Sequence, residues 1–88
     1  MKVLKRDGRV QDFDLSKIKT SIYRASDDAD QPLNESDIDN IAEDVEISIK
    51  ALQKDTISFD VIHELVLAKL EKSGFNTLSK YYNLGSLE

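Results

Sequence analysis

Apolar and polar residues along this 88-residue chain alternate in two different rhythms. Near the start, Val3-Leu4-Lys5-Arg6 and Arg9-Val10-Gln11-Asp12-Phe13 are short extended runs on either side of Asp7-Gly8. Alternation in the first run sets Val3 and Lys5 on one face, Leu4 and Arg6 on the other. Asp-Gly between two such runs predicts a tight hairpin turn, because both residues tolerate positive φ. From Leu15 onward the period lengthens to that of a helix. Leu15, Ile18, Ile22 and Ala25 form one apolar stripe and predict a first helix over residues 15–26, with Asp14 as its N-cap. A polar stretch over residues 27–32 closes it, ending in Pro32. Ile38, Ile41, Val45, Ile49 and Leu52 then define a second helix, capped by Asn34 or Ser36. Ser58 is the expected cap of a third, with Ile62, Leu65, Val66 and Leu70 facing the core and Gly74 ending it. A shorter fourth helix starts near Asn76 and includes Leu78, Tyr81 and Tyr82.

A lone two-stranded hairpin is marginal in water, so this one must pack on the helices that follow it. The expected fold is therefore α+β: an N-terminal β-hairpin packed on a bundle of three long helices and one short helix. Residues 1–86 read as a single domain and Leu87-Glu88 as a cloning scar. A domain of this size buries only about 60% of its unfolded surface, so its stability is modest.

Composition removes several classes of chemistry. No cysteine is present, which excludes disulfides and thiolate metal sites, and the one histidine, His63, cannot hold a metal by itself. No apolar run approaches the roughly 20 residues needed to cross a bilayer. The opening Met1-Lys2-Val3-Leu4-Lys5-Arg6 lacks the apolar stretch of a signal peptide, so a cytoplasmic location is expected. Net charge is -5, but the charges are not evenly spread. Residues 1–19 carry six lysines and arginines against three aspartates, whereas the rest carries six against fourteen acids. Such a basic end either binds one small polyanion or pairs with the acidic body inside the fold, and charge alone leaves both open.

The run Val3-Leu4-Lys5-Arg6-Asp7-Gly8-Arg9, then Phe13-Asp14 and Lys17-Ile18, resembles the opening signature of the ATP-cone family. That signature reads roughly V-x-K-R-D-G-x-x-x-x-F-x-x-x-K-I and is complete and in register here. The later run from Ile57 to Val66, with Leu70 and the tyrosine pair, resembles the family's third and fourth helices. The family opens ribonucleotide reductase catalytic subunits and also occurs in a zinc-containing repressor of reductase genes. The resemblance implies a regulatory domain, not an enzyme. The allosteric ligand it implies is ATP or dATP with Mg2+, ATP permitting reductase activity and dATP shutting it down through a changed oligomeric state. It also implies a host catalytic domain as partner, with a lean toward the anaerobic ribonucleoside-triphosphate reductase.

By the same resemblance, Val3 lies against the base and Lys5 and Arg6 approach the phosphates. Lys17 faces the nucleotide, Ile18 helps form the base pocket, and Gln11 and Asp14 make polar contacts. Ser58 matches a hydroxyl residue of the site, and His63, expected to be exposed on the third helix, is a further candidate contact. The chemistry is sound on its own terms. A triphosphate needs several fixed donors, and Lys5-Arg6 at a tight turn supplies a point charge beside a planar fork. The N-terminal end of the first helix adds a dipole that favours anions. Tyr81-Tyr82 is followed by Asn83-Leu84-Gly85, without the basic residues that many members carry there. Gln11 likewise stands where some members carry an acid.

Other classes lack their parts. There is no cysteine nucleophile, no second histidine and no Gly-x-x-x-x-Gly-Lys-Ser/Thr loop, so catalysis is not expected. The acidic balance and the absence of aromatic interleaving in the hairpin disfavour nucleic acid. Two alternatives stand beside the reductase reading. One is a degenerate cone serving as a protein-interaction or oligomerisation module. The other is the nucleotide-sensing part of a transcriptional repressor, which needs an upstream cysteine-rich ribbon that these 88 residues do not contain.

Overall fold

The structure of the chain, a computed structural model, describes residues 1–85, so the reading of Leu87-Glu88 lies outside the described residues. Among them, β1 (Lys2–Leu4) and β2 (Val10–Asp12) form the hairpin. Helix α1 (Leu15–Asp28), α2 (Glu35–Ala51), strand β3 (Thr56–Ser58), α3 (Phe59–Lys72) and α4 (Asn76–Gly85) follow. The result is the expected α+β fold with one strand more than the hairpin. The sheet runs in the order β2-β1-β3: β1 pairs antiparallel with β2 and parallel with β3, Val3 standing between Gln11 and Ile57.

Helices α1, α2 and α3 each begin where a side chain can take up an unpaired backbone N–H. Asp14 accepts from Ser16 N, Asn34 from Asp37 N and Ser58 from Val61 N. Each such cap typically contributes about 1 kcal/mol. The ends close with carbonyl-satisfying turns. After α1, Gln31 N donates to Ser26 O and Asp30 N to Asp27 O; after α3, Phe75 N donates to Leu70 O and Gly74 N to Glu71 O. Gly74 adopts φ +87°, the left-handed position such a turn requires.

Helical contacts run α1 to α2, α2 to α3, α3 to α4 and α4 back to α1, a ring around one core. Ile22, Ala42, Val45, Val66, Leu70 and Leu78 are fully buried at its centre. Val3 and Ile57 close one end from the sheet. The opposite sheet face is open, with the cross-strand pair Leu4 and Val10 exposed to 41% and 56%.

Three expectations need correction. The turn is not a two-residue one with both Asp7 and Gly8 at positive φ, for only Gly8 is there, at +90°. Lys5 N donates to Arg9 O and Gly8 N to Lys5 O, which makes Arg6-Asp7-Gly8 a three-residue loop ending on a left-handed glycine. Leu52 does not belong to the apolar stripe. It is the C-cap of α2 and 45% exposed, because the chain turns away there. His63 is not exposed: only 4% of its surface is accessible, since it shares the α3 stripe with Val66 and Leu70 and faces α4.

Candidate functional site

Where the hairpin meets α1 and α3, a groove of about 240 Å³ opens to solvent. Its walls come from five elements of the chain. Val3 and Lys5 arrive from β1 and the residue after it, and Gln11, Asp12 and Phe13 from β2 and its exit. Asp14, Lys17, Ile18 and Ser21 belong to the cap and first turns of α1. Phe59 and Ile62 come from α3 and Tyr82 from α4. Val3, Phe13, Ile18, Phe59, Ile62 and Tyr82 therefore offer apolar surface to a flat hydrophobic group, with Lys5 and Lys17 at the same groove for an anion.

The fate of each basic residue decides how much positive charge is left for a ligand. Lys2 pairs with Asp12, Arg9 with Asp7 (2.6 Å), Arg6 with Asp60 (2.9 Å) and Lys19 with Asp39 (3.1 Å). Lys5 and Lys17 have no ion pair among the described residues. Lys5 Nζ instead lies 4.8 Å from the centre of the Phe59 ring. Pairing with the acidic body accounts for two of these six cations, Arg6 and Lys19; Lys2 and Arg9 are matched within the basic end, and Lys5 and Lys17, unmatched among the described residues, line the groove. A roomier hollow of about 400 Å³ between α1 and the start of α2 offers no such charge. Its one cation, Lys19, is the partner of Asp39.

The two aspartates of the groove are held ionised by their neighbours. The Lys2 ammonium, by hydrogen bond and by charge, holds the Asp12 carboxyl below its ordinary value. Asp14 is lowered by hydrogen bonds from the Ser16 hydroxyl (2.6 Å) and backbone N–H (3.0 Å). Tyr82 is pushed the other way. Burial raises its phenol above the ordinary 10.0, and the Ser21 hydroxyl 3.2 Å away opposes that rise.

Six of the nine expected site residues line this groove: Val3, Lys5, Gln11, Asp14, Lys17 and Ile18. Arg6 stands beside it, its guanidinium carbon 5.0 Å from the Phe59 ring centre. The Ser58 hydroxyl is engaged as the α3 cap, 3.3 Å from Val61 N. His63 lies behind the wall, stacked between Phe59 and Tyr82 at centroid distances of 6.1 and 5.4 Å. Its Nε2 donates to Asn83 Oδ1 at 2.9 Å, leaving Nδ1 buried without a partner among the described residues.

Over residues 1–86 the sequence matches the family described as the ATP cone domain. The chain belongs to the ATP cone family. Comparison with curated proteins gave no match. ATP cones are regulatory domains that bind ATP-type nucleotides and are not catalytic. The groove of this cone combines an apolar slot with two lysines that have no ion pair among the described residues.

Sequence reasoning missed Asp12, Phe13, Ser21, Phe59, Ile62 and Tyr82 as lining residues. A signal existed for Phe59, through the candidate His63. Phe59 and His63 stand four apart at the start of a helix that follows a cap, so they share a face. Tyr82 and Ser21 had none, because they meet only through the packing of α4 on α1. No helix among the described residues is long and apolar enough to cross a membrane.

Proposed function

We propose that this cone binds ATP or dATP in the groove between hairpin, α1 and α3, and that occupancy controls a ribonucleotide reductase of which it is the regulatory part. One observation carries the reading: Lys5 and Lys17, without ion-pair partners among the described residues, open on the same slot as Val3, Ile18 and Ile62. The slot is smaller than the roughly 300–1,000 Å³ of pockets that enclose a whole ligand. It takes the base and sugar, and the phosphates lie at its mouth against Lys5, Lys17 and Arg6. Gln11 and Asp14 supply the polar contacts, and Ser58 and His63 hold the α3 wall from behind.

Magnesium comes with the phosphates. Among the described residues no three carboxylate or imidazole groups converge on a metal site. Mg2+ commonly binds through one or two carboxylates plus phosphate oxygens, a role open to Asp14. Bound nucleotide clamps the hairpin onto the bundle and alters the surface presented to the catalytic domain or to a second subunit. The host is a ribonucleoside-triphosphate reductase, with the anaerobic enzyme favoured by the Lys-Arg-Asp-Gly-Arg run. The cytoplasm is its compartment.

The test is backbone amide NMR of the chain titrated with ATP and with dATP in magnesium. Shifts concentrated at residues 3–18 and 58–63 are expected, and replacing Lys5 and Arg6 together by Ala should abolish them while the helical far-UV signal persists. A folded double variant that binds as tightly as the parent would refute the site. No shifts in the parent would leave an interaction module in its place.

A further inference from the structure

We infer that Asp60 sets how much phosphate a ligand must bring, by holding Arg6 on α3 until an anion takes it. The inference rests on the nucleotide reading above. Arg6 Nε donates to Asp60 Oδ1 at 2.9 Å, and the guanidinium also lies over Phe59, 5.0 Å from the ring centre. Lys5 Nζ lies over the same ring at 4.8 Å. Two adjacent like charges are thereby gathered on one aromatic side chain, and the Asp60 carboxylate offsets part of their repulsion.

The position of Phe59 makes this arrangement functional. Phe59 and Lys5 are part of the groove wall and Arg6 is not. Arg6 therefore waits one ring away from the ligand. A carboxylate satisfies a guanidinium in the same way as a phosphate oxygen does, so Asp60 stands in for the anion that is to come. For Arg6 to reach a phosphate, its bond to Asp60 must break and a bond to phosphate must form, leaving Asp60 to water.

Exposure makes the exchange easy. The Arg6 and Asp60 side chains are 43% and 68% accessible, so the pair is screened and weak. A fully buried pair would lock. Asp60 is also the acid of the first α3 turn, where the helix dipole gives it a place whether or not Arg6 is present. It can release Arg6 without destabilising the element that carries it. A ligand without phosphate has nothing to exchange, binds with the latch closed and is indifferent to Asp60. A triphosphate works against Asp60 at every binding event.

Asp60 is thus a positioning residue, and calorimetric titration of the full chain with ATP and with adenosine, in magnesium, tests it. Asp60→Asn should tighten ATP about two- to fivefold, the span of an exposed ion pair, and leave adenosine unchanged. In an Arg6→Ala background the same substitution should change ATP affinity little, because the latch is gone. An equal gain with and without Arg6 would reduce Asp60 to a nearby negative charge and overturn the latch alone. Absence of any gain in Asp60→Asn would overturn it as well. If the unsubstituted chain fails to bind ATP, the groove reading falls and the latch with it. Should Asp60→Asn not fold, the Arg6 Nε–H signal of the parent chain decides: it should move with ATP and stay with adenosine, and a signal unmoved by bound ATP refutes the exchange.

Discussion

Gln53 and Asp30 are the non-glycine residues at positive φ among the described ones, at +53° and +50°, each just past a helix end. Gly74 holds the corresponding place after α3. A side chain there costs roughly 1–2 kcal/mol, less for Asp, which tolerates the left-handed region. Glycine recovers part of that at the expense of unfolded-state entropy. Gln53→Gly should therefore raise the unfolding free energy by about 0.5–1 kcal/mol, seen as a higher urea midpoint at unchanged slope. Single residues were also where the sequence was hardest to read. His63 seemed exposed because a lone polar residue on a helix usually is. Its spacing to Val66 and Leu70 put it on the buried stripe all the same. What makes that burial tolerable, the Asn83 carbonyl and two flanking rings, comes from other parts of the fold or of the helix.

At the level of elements, the hairpin and the start of α1 depend on three carboxylates. Asp7 is lowered chiefly by the Arg9 backbone N–H, Asp12 by Lys2 and Asp14 by the Ser16 hydroxyl, all below the ordinary 3.8. Folded-state values below the unfolded one mean a contribution present above 3.8 and lost as pH falls through the folded values. On acidification below the ordinary 3.8, amide signals of residues 2–17 should lose dispersion before those of α2. Asp14→Asn, which keeps a good cap, should remove part of that response. The helices and their three caps were legible because each repeats an apolar residue over several turns. Strand β3 was not. Three residues, Thr56-Ile57-Ser58, are too few to show a period, and their partner in the sheet is Lys2–Leu4, more than fifty residues earlier. Parallel pairing over that separation leaves no local trace. The groove shared this limit: its β1 and α1 walls lie in one continuous motif, whereas its α3 and α4 walls were brought in by the fold.

For the molecule as a whole, a ligand that binds only the folded state adds to its stability by mass action. ATP at 100 times its dissociation constant should add about 2.7 kcal/mol, and in a domain of this size each kcal/mol shifts the melting temperature by about 4–8 °C. A thermal scan that shows no shift at that concentration would contradict a folded-state site. Ser58 is at once the last residue of β3 and the cap of α3, so no linker separates the sheet from that helix. At 1.5 Å per residue the fourteen residues of α3 form a rod of about 21 Å, fixed at one end to the strand that pairs with β1. A tilt of the hairpin strands would therefore be magnified at Lys72, where the chain turns into α4. The strand-to-helix junction acts as the short arm of a lever, and the far end of the bundle is where its travel is largest.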